Sequence, residues 1–143
     1  MAVHGPVCIA LWRTKPTHPL FEIQQAHLAR AVAGDPGKVA FMCVVAPTAE
    51  PPDDEVRSAS ANMITAHGSN LAGTACVIEG SGFRAAITRT VLSGIVFVIR
   101  TPSPIRLFES VEQAAPWLGQ MFGQLPMLNL PAELALARSR SAA

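Results

Sequence analysis

Charge is scarce in this chain. Only 15% of its 143 residues are Asp, Glu, Lys or Arg, and the net charge is +1. That leaves no broad basic surface for nucleic acid or an anionic membrane. Long apolar runs are missing too. The longest, such as Val39–Pro47 and Ile95–Ile99, fall far short of the ~20 residues that a membrane-spanning helix needs, so no membrane insertion is expected. The opening MAVHGPV has no basic segment followed by a long apolar stretch, and no secretion signal is expected from it. Metal-ligand spacings are lacking as well. There is no CxxC, HxxxH or HxH, and His4, His18, His27 and His67 show no ligand spacing with one another or with a cysteine. Neither a metal nor a cofactor is expected. The three cysteines, Cys8, Cys43 and Cys76, are odd in number and lie in strand-like runs. They read as small buried hydrophobes in a reducing compartment, which points to a cytoplasmic protein.

What the chain does have is hydrophobic residue, at 50%, enough for a core in a single domain. Strand-like and helical patterns alternate. Pro6–Trp12 and Val39–Val45 read as strands, separated by a helix that opens at Thr17-His18-Pro19 and ends at Gly34-Asp35-Pro36-Gly37. Its apolar stripe is expected to be Leu20, Ile23, His27 and Ala31. After a proline-rich loop, Asp53 and Asp54 open a second helix that carries Val56, Ala59, Ser60, Met63 and His67 inward and stops at Gly68. Gly73–Ile78 reads as the third strand. A helix packed through Phe83, Ala86, Ile87, Thr90 and Val91 is expected to stop at Gly94, before a fourth strand at Ile95–Ile99 and a short edge strand at Ile105–Phe108. Ser110-Val111-Glu112-Gln113 is a capping box opening a last helix with Ala114, Trp117 and Leu118, kinked or broken at Pro116. Such alternation implies an α/β sandwich with a mostly parallel sheet of about four to five strands.

The densest chemistry lies at Glu79-Gly80-Ser81-Gly82, between a strand and a helix. A serine at a helix start lies near unpaired backbone N–H groups and the positive end of the helix dipole. Three roles are open to Ser81: helix cap, anion contact or phosphorylation target. For an anion, Gly80, Gly82 and Arg84 are the other candidate contacts. A serine-hydrolase elbow needs glycine two places before and two after serine, but those places hold Glu79 and Phe83. The loop also lacks GxGxxG and GK[ST]. Arg13, Arg100 and Arg106 flank strands and would meet only if those strand ends share a rim. No carboxylate pair and no base beside a nucleophile stands out, so an enzyme is not expected.

The order strand, acidic residue, small residue, serine, glycine, helix resembles the STAS domain, the family of anti-sigma-factor antagonists and of the cytoplasmic domains of sulfate transporters. In the antagonists' Asp-Ser-Ser-Gly signature a partner kinase phosphorylates the second serine. On that resemblance Glu79 stands for the aspartate, Gly80 for the first serine, Ser81 for the phosphorylated serine and Gly82 for the glycine. The segment IRTPSPIRLFESVEQAAPWL, with Ala114, Trp117 and Leu118, is similar to the ending of STAS-like and SEC14-related bacterial proteins. The resemblance implies a STAS-like α/β sandwich over residues 1–122, with about four helices. It further implies a non-catalytic regulatory module whose protein partner (kinase, regulator or scaffold) touches Glu79, Ser81, Phe83, Arg84 and Thr88.

Residues 123–143 form an apolar tail after this domain. Leu125, Met127, Leu128, Leu130, Leu134 and Leu136 are too apolar for a free end, and offer self-docking, a homodimer or assembly into a larger complex as the second hypothesis. Binding of a lipid or an anion is the third.

Overall fold

A computed structural model describes residues 2–4, 7–50, 52–98 and 103–122. The chain is α/β. One sheet holds β1 (Ala2–His4), β2 (Val7–Trp12), β3 (Val39–Val45), β4 (Leu71–Ile78) and β5 (Ile105–Phe108), in that spatial order. Four helices accompany it: α1 (His18–Gly34), α2 (Asp54–His67), α3 (Phe83–Val98) and α4 (Val111–Phe122). Strands β2 to β5 are mutually parallel, and β1 runs antiparallel to β2.

Spatial order follows sequence order because each crossover steps to the next strand in the same direction. The preferred right-handed crossover, repeated in one direction, lays successive helices on one face. Accordingly Phe21, Leu28, Val56, Met63 and Ile64 of α1 and α2 pack with Cys8, Ala10 and Phe41 of the sheet. On the opposite face, Val111, Ala114, Ala115 and Leu118 of α4 pack with Val7, Ile9, Met42, Ala75 and Val77. Alternate side chains of β2 and β3 thus feed two cores. Both strands are buried on both sides, as their unbroken apolar runs imply.

Helix starts follow the sequence signals. Pro19 lies in the first turn of α1, where its missing N–H costs little. The Asp53 carboxylate accepts from Val56 N at 2.9 Å. Ser110 Oγ accepts from Gln113 N at 3.2 Å, and Gln113 Oε1 reaches back to accept from Glu109 N.

Several expectations fail. Ile95–Val98 belongs to α3 and is not a strand, and Gly94 does not stop the helix. The fourth parallel strand is Ile105–Phe108, the short segment at the sheet edge. The buried stripe of α1 is Phe21, Gln24, Leu28 and Val32, one residue on from the expected one, and Leu20 and Ile23 are exposed at 49% and 55%. In α3 the inward residues are Ala85, Thr88, Leu92 and Val96, while Phe83, Ala86, Ile87 and Thr90 face outward. Helix α4 continues through Pro116 without a break. Pro116 and Glu112 are exposed there, so water can satisfy the carbonyl that proline leaves unpaired. Strand β1 was not anticipated. The tail 123–143 and Arg100 lie outside the described residues.

Candidate functional site: the turn at the carboxyl rim

Strands β2, β3 and β4 end side by side, and the loops that follow them form one rim. Ala46 N donates to Trp12 O at 2.8 Å, Glu79 N donates to Val45 O at 3.0 Å, and Thr48 Oγ1 donates to Arg13 O at 2.7 Å. In open α/β sheets a ligand crevice forms at this rim where the strand order reverses. Among the described strands the order never reverses, so no crevice of that origin is expected. The rim presents a surface of loops, with a pocket bordered by Trp12, Pro16, Glu50 and Pro52.

The turn from β4 into α3 is the most exposed part of that surface near the predicted site. Gly80 and Gly82 both have positive φ, +95° and +97°, a region that L-residues avoid. Gly80 is also pressed against the next loop. A Cβ there would sit 3.0 Å from Pro47 Cβ and 3.2 Å from Cγ, whereas around Gly82 there is open space. The serine that the family signature carries at the first of these places would be strained at Gly80. Two glycines therefore hold Ser81 out from the protein, and it is exposed.

Ser81 does not occupy the cap position itself. Ala86 N donates to Gly82 O at 3.1 Å, the first bond of the helix, which makes Gly82 the N-cap residue and leaves Ser81 one place before it. Glu79 is half-buried beside it. Phe83, the first residue of α3, is 82% exposed, and Ile87 one turn on is 37% exposed.

The structure brings Glu79, Gly80, Ser81, Gly82 and Phe83 together on one surface. Thr88 does not join them. It is 3% exposed and turned toward the sheet, because it shares the inward stripe of α3. The side chain of Arg84 lies outside the described set. Nor do the flanking arginines converge. Arg13 follows β2 at the rim, while Arg106 lies within β5 with its guanidinium over Phe108 and Trp117, at 5.4 and 5.9 Å from the ring centres.

The residue that sequence reasoning missed is Arg89. From the second turn of α3 its Nη2 donates to Gly80 O at 2.7 Å and to Ile78 O at 3.3 Å. It ties the turn to the helix that follows. No sequence spacing marks such a brace, because it depends on how α3 lies over the end of β4.

Among the described residues no group of three or more His, Cys, Asp or Glu is placed to hold a metal ion, and no helix is long and apolar enough to cross a membrane. Compared with protein-family models, with curated proteins and with solved structures, the chain gives no match.

Proposed function

We propose that the chain is a non-catalytic regulatory module that binds a protein partner through the rim surface around Ser81 and Phe83, and that phosphorylation of Ser81 switches this binding. One observation carries the reading. A large aromatic side chain, Phe83, stands 82% exposed two residues from an exposed serine, on a turn whose glycines and Arg89 brace fix its shape. Aromatic side chains, phenylalanine included, are enriched at protein interfaces relative to the rest of the surface. The STAS resemblance assigns the same serine to a kinase.

A phosphate on Ser81 would add about two negative charges just before the start of α3. There the free N–H groups and helix dipole favour it, and it would stand beside Phe83 in any docked complex. An acidic or closely fitting partner is repelled, and a basic one is attracted.

The test is capture from the source cells with four baits: the parent chain, Phe83→Ala, Ser81→Ala and Ser81→Asp. Phe83→Ala is expected to lose the partner while keeping the parent unfolding midpoint, since its side chain buries little. Ser81→Asp is expected to change what is captured and Ser81→Ala is not. Identical capture by all four baits would remove the surface from consideration. Intact-mass measurement of the native protein checks the switch separately, and absence of phosphate under all growth conditions would leave binding without regulation.

A further inference from the structure

The two faces of the sheet are covered unequally. One carries α1, α2 and α3, and the other carries only α4 among the described elements. A helix is about 10 Å across, roughly two strand spacings of about 4.8 Å. Five strands span about four such spacings. Helix α4 lies toward one side of its face. Met121 and Trp117 sit over Gly73 of β4, and the Trp117 ring centre is 5.5 Å from that of Phe108 in β5.

The far side of this face is closed all the same. The register row His4, Val7, Ala40, Gly73 runs straight across the sheet. On it Val7 and Ala40 are 0% exposed, and Ile9, further along β2, is 3% exposed. Strand β2 lies about 10 Å from β4, so α4 flanks Val7 and Ile9 from one side only. The other helices are on the opposite face, and β1 lies in the plane of the sheet. A single chain buries these residues, so their remaining cover is a part of that chain outside the described set. Elsewhere that set omits at most four residues in a row, and residues 123–143 are the one long segment.

We propose that residues 123–143 pack across β2 and β3 beside α4, with their leucines against Val7, Ile9, Ala40 and Val44. Chain path and composition both support this. Helix α4 ends at Phe122, next to Met121 over Gly73, so the chain leaves it at the end of the sheet where Ala40 and Val7 lie. Two strand spacings, about 10 Å, take about three extended residues. The segment carries Leu125, Met127, Leu128, Leu130, Leu134 and Leu136 and, before Arg138, a single charge at Glu133. That suits a buried layer and not a free surface. The tail is thereby part of the core, and this side of the sheet is closed to partners.

The test is methyl NOE spectroscopy on the full chain. Cross-peaks from the Val7 and Ile9 methyls to leucine methyls of residues 125–136 are expected within one copy, and none between copies in a mixture of labelled and unlabelled chain. Cross-peaks only between copies would overturn the proposal and make a second copy the cover. Absence of both kinds would overturn it outright. Full-length chain with Leu125, Leu128, Leu130 and Leu134 all exchanged for serine is expected to unfold at a lower urea concentration than the parent. A parent-like midpoint would also overturn the proposal.

Discussion

Replacing Gly80 with alanine tests the packing of the turn. At φ +95° an L-residue pays about 1–2 kcal/mol in backbone strain. The new Cβ would lie 3.0 Å from Pro47 Cβ. That is ring carbon with little freedom to yield, which adds about 1 kcal/mol of overpacking. Reduced freedom of the unfolded chain returns about 0.5 kcal/mol. The net loss is about 2 kcal/mol, or a fall in Tm of about 6 °C for a chain of this size. Gly82→Ala is the control. Its φ is almost the same, +97°, but nothing lies within 4 Å, so only strain remains and the loss should be about 1 kcal/mol. Urea unfolding of both variants reads the difference. Equal losses would mean that the loops after β3 and β4 are not pressed together as described. The double variant Gly80→Ala with Pro47→Ala should recover only part of the excess, since it removes the Cγ at 3.2 Å and frees the backbone of the ring but keeps the Cβ that the new methyl meets most closely.

Other consequences are open to simple measurement. Arg89→Gln should lower stability by about 1–2 kcal/mol through loss of the bonds to the Ile78 and Gly80 carbonyls, and should speed amide exchange across the turn; unchanged exchange at Ser81 and Gly82 would contradict the brace. Asp53→Ala should cost about 1 kcal/mol by freeing Val56 N, and a parent-like urea midpoint would show the cap to be idle. The chain contains no tyrosine, so thiols dominate its alkaline linkage. The folded-state pKa of Cys76 is raised to about 12, while an unfolded thiol ionises near 8.5. The unfolded state therefore sheds its proton first, and stability should fall as pH rises between about 9 and 12, by up to about 1.4 kcal/mol per pH unit for each such thiol. Urea midpoints at pH 7, 9 and 10.5 check this, and Cys76→Ala should flatten the slope.

Much of this architecture was legible in the sequence, where two signals agreed. Val39–Val45 combines an unbroken apolar run with turn residues on both sides. Asp53 and Ser110 combine a capping residue with a following apolar stripe. Failures came where one signal spoke alone. Ile95–Val98 is β-branched and aromatic, but so short that composition cannot separate strand from buried helix. The deciding pattern was the stripe Ala85, Thr88, Leu92 and Val96, which carries helical spacing straight past Gly94. In α1 the polar Gln24 sits in the buried stripe while the apolar Leu20 and Ile23 lie outside it, so apolar spacing alone points one residue away from the buried face. In α3 the exposed Phe83 and Ile87 mimicked a core face. Both misread faces are apolar surfaces left outside the core, and that property cannot be distinguished from core packing by periodicity alone. The positions of Ser81 and its flanking glycines were legible from turn chemistry. Arg89 was not, because its role depends on how α3 folds back over the end of β4.

The unbroken march of strands across the sheet also bears on how the molecule forms. Each βα unit from β2 to β5 adds itself to the one just made, so each addition closes only the loop through its own crossover rather than one spanning the whole chain. Assembly can then grow from a nucleus such as β3 and β4 toward either edge, in the manner of a repeat protein. The outermost strands, β1 and β5, would be the last to join and the first to detach.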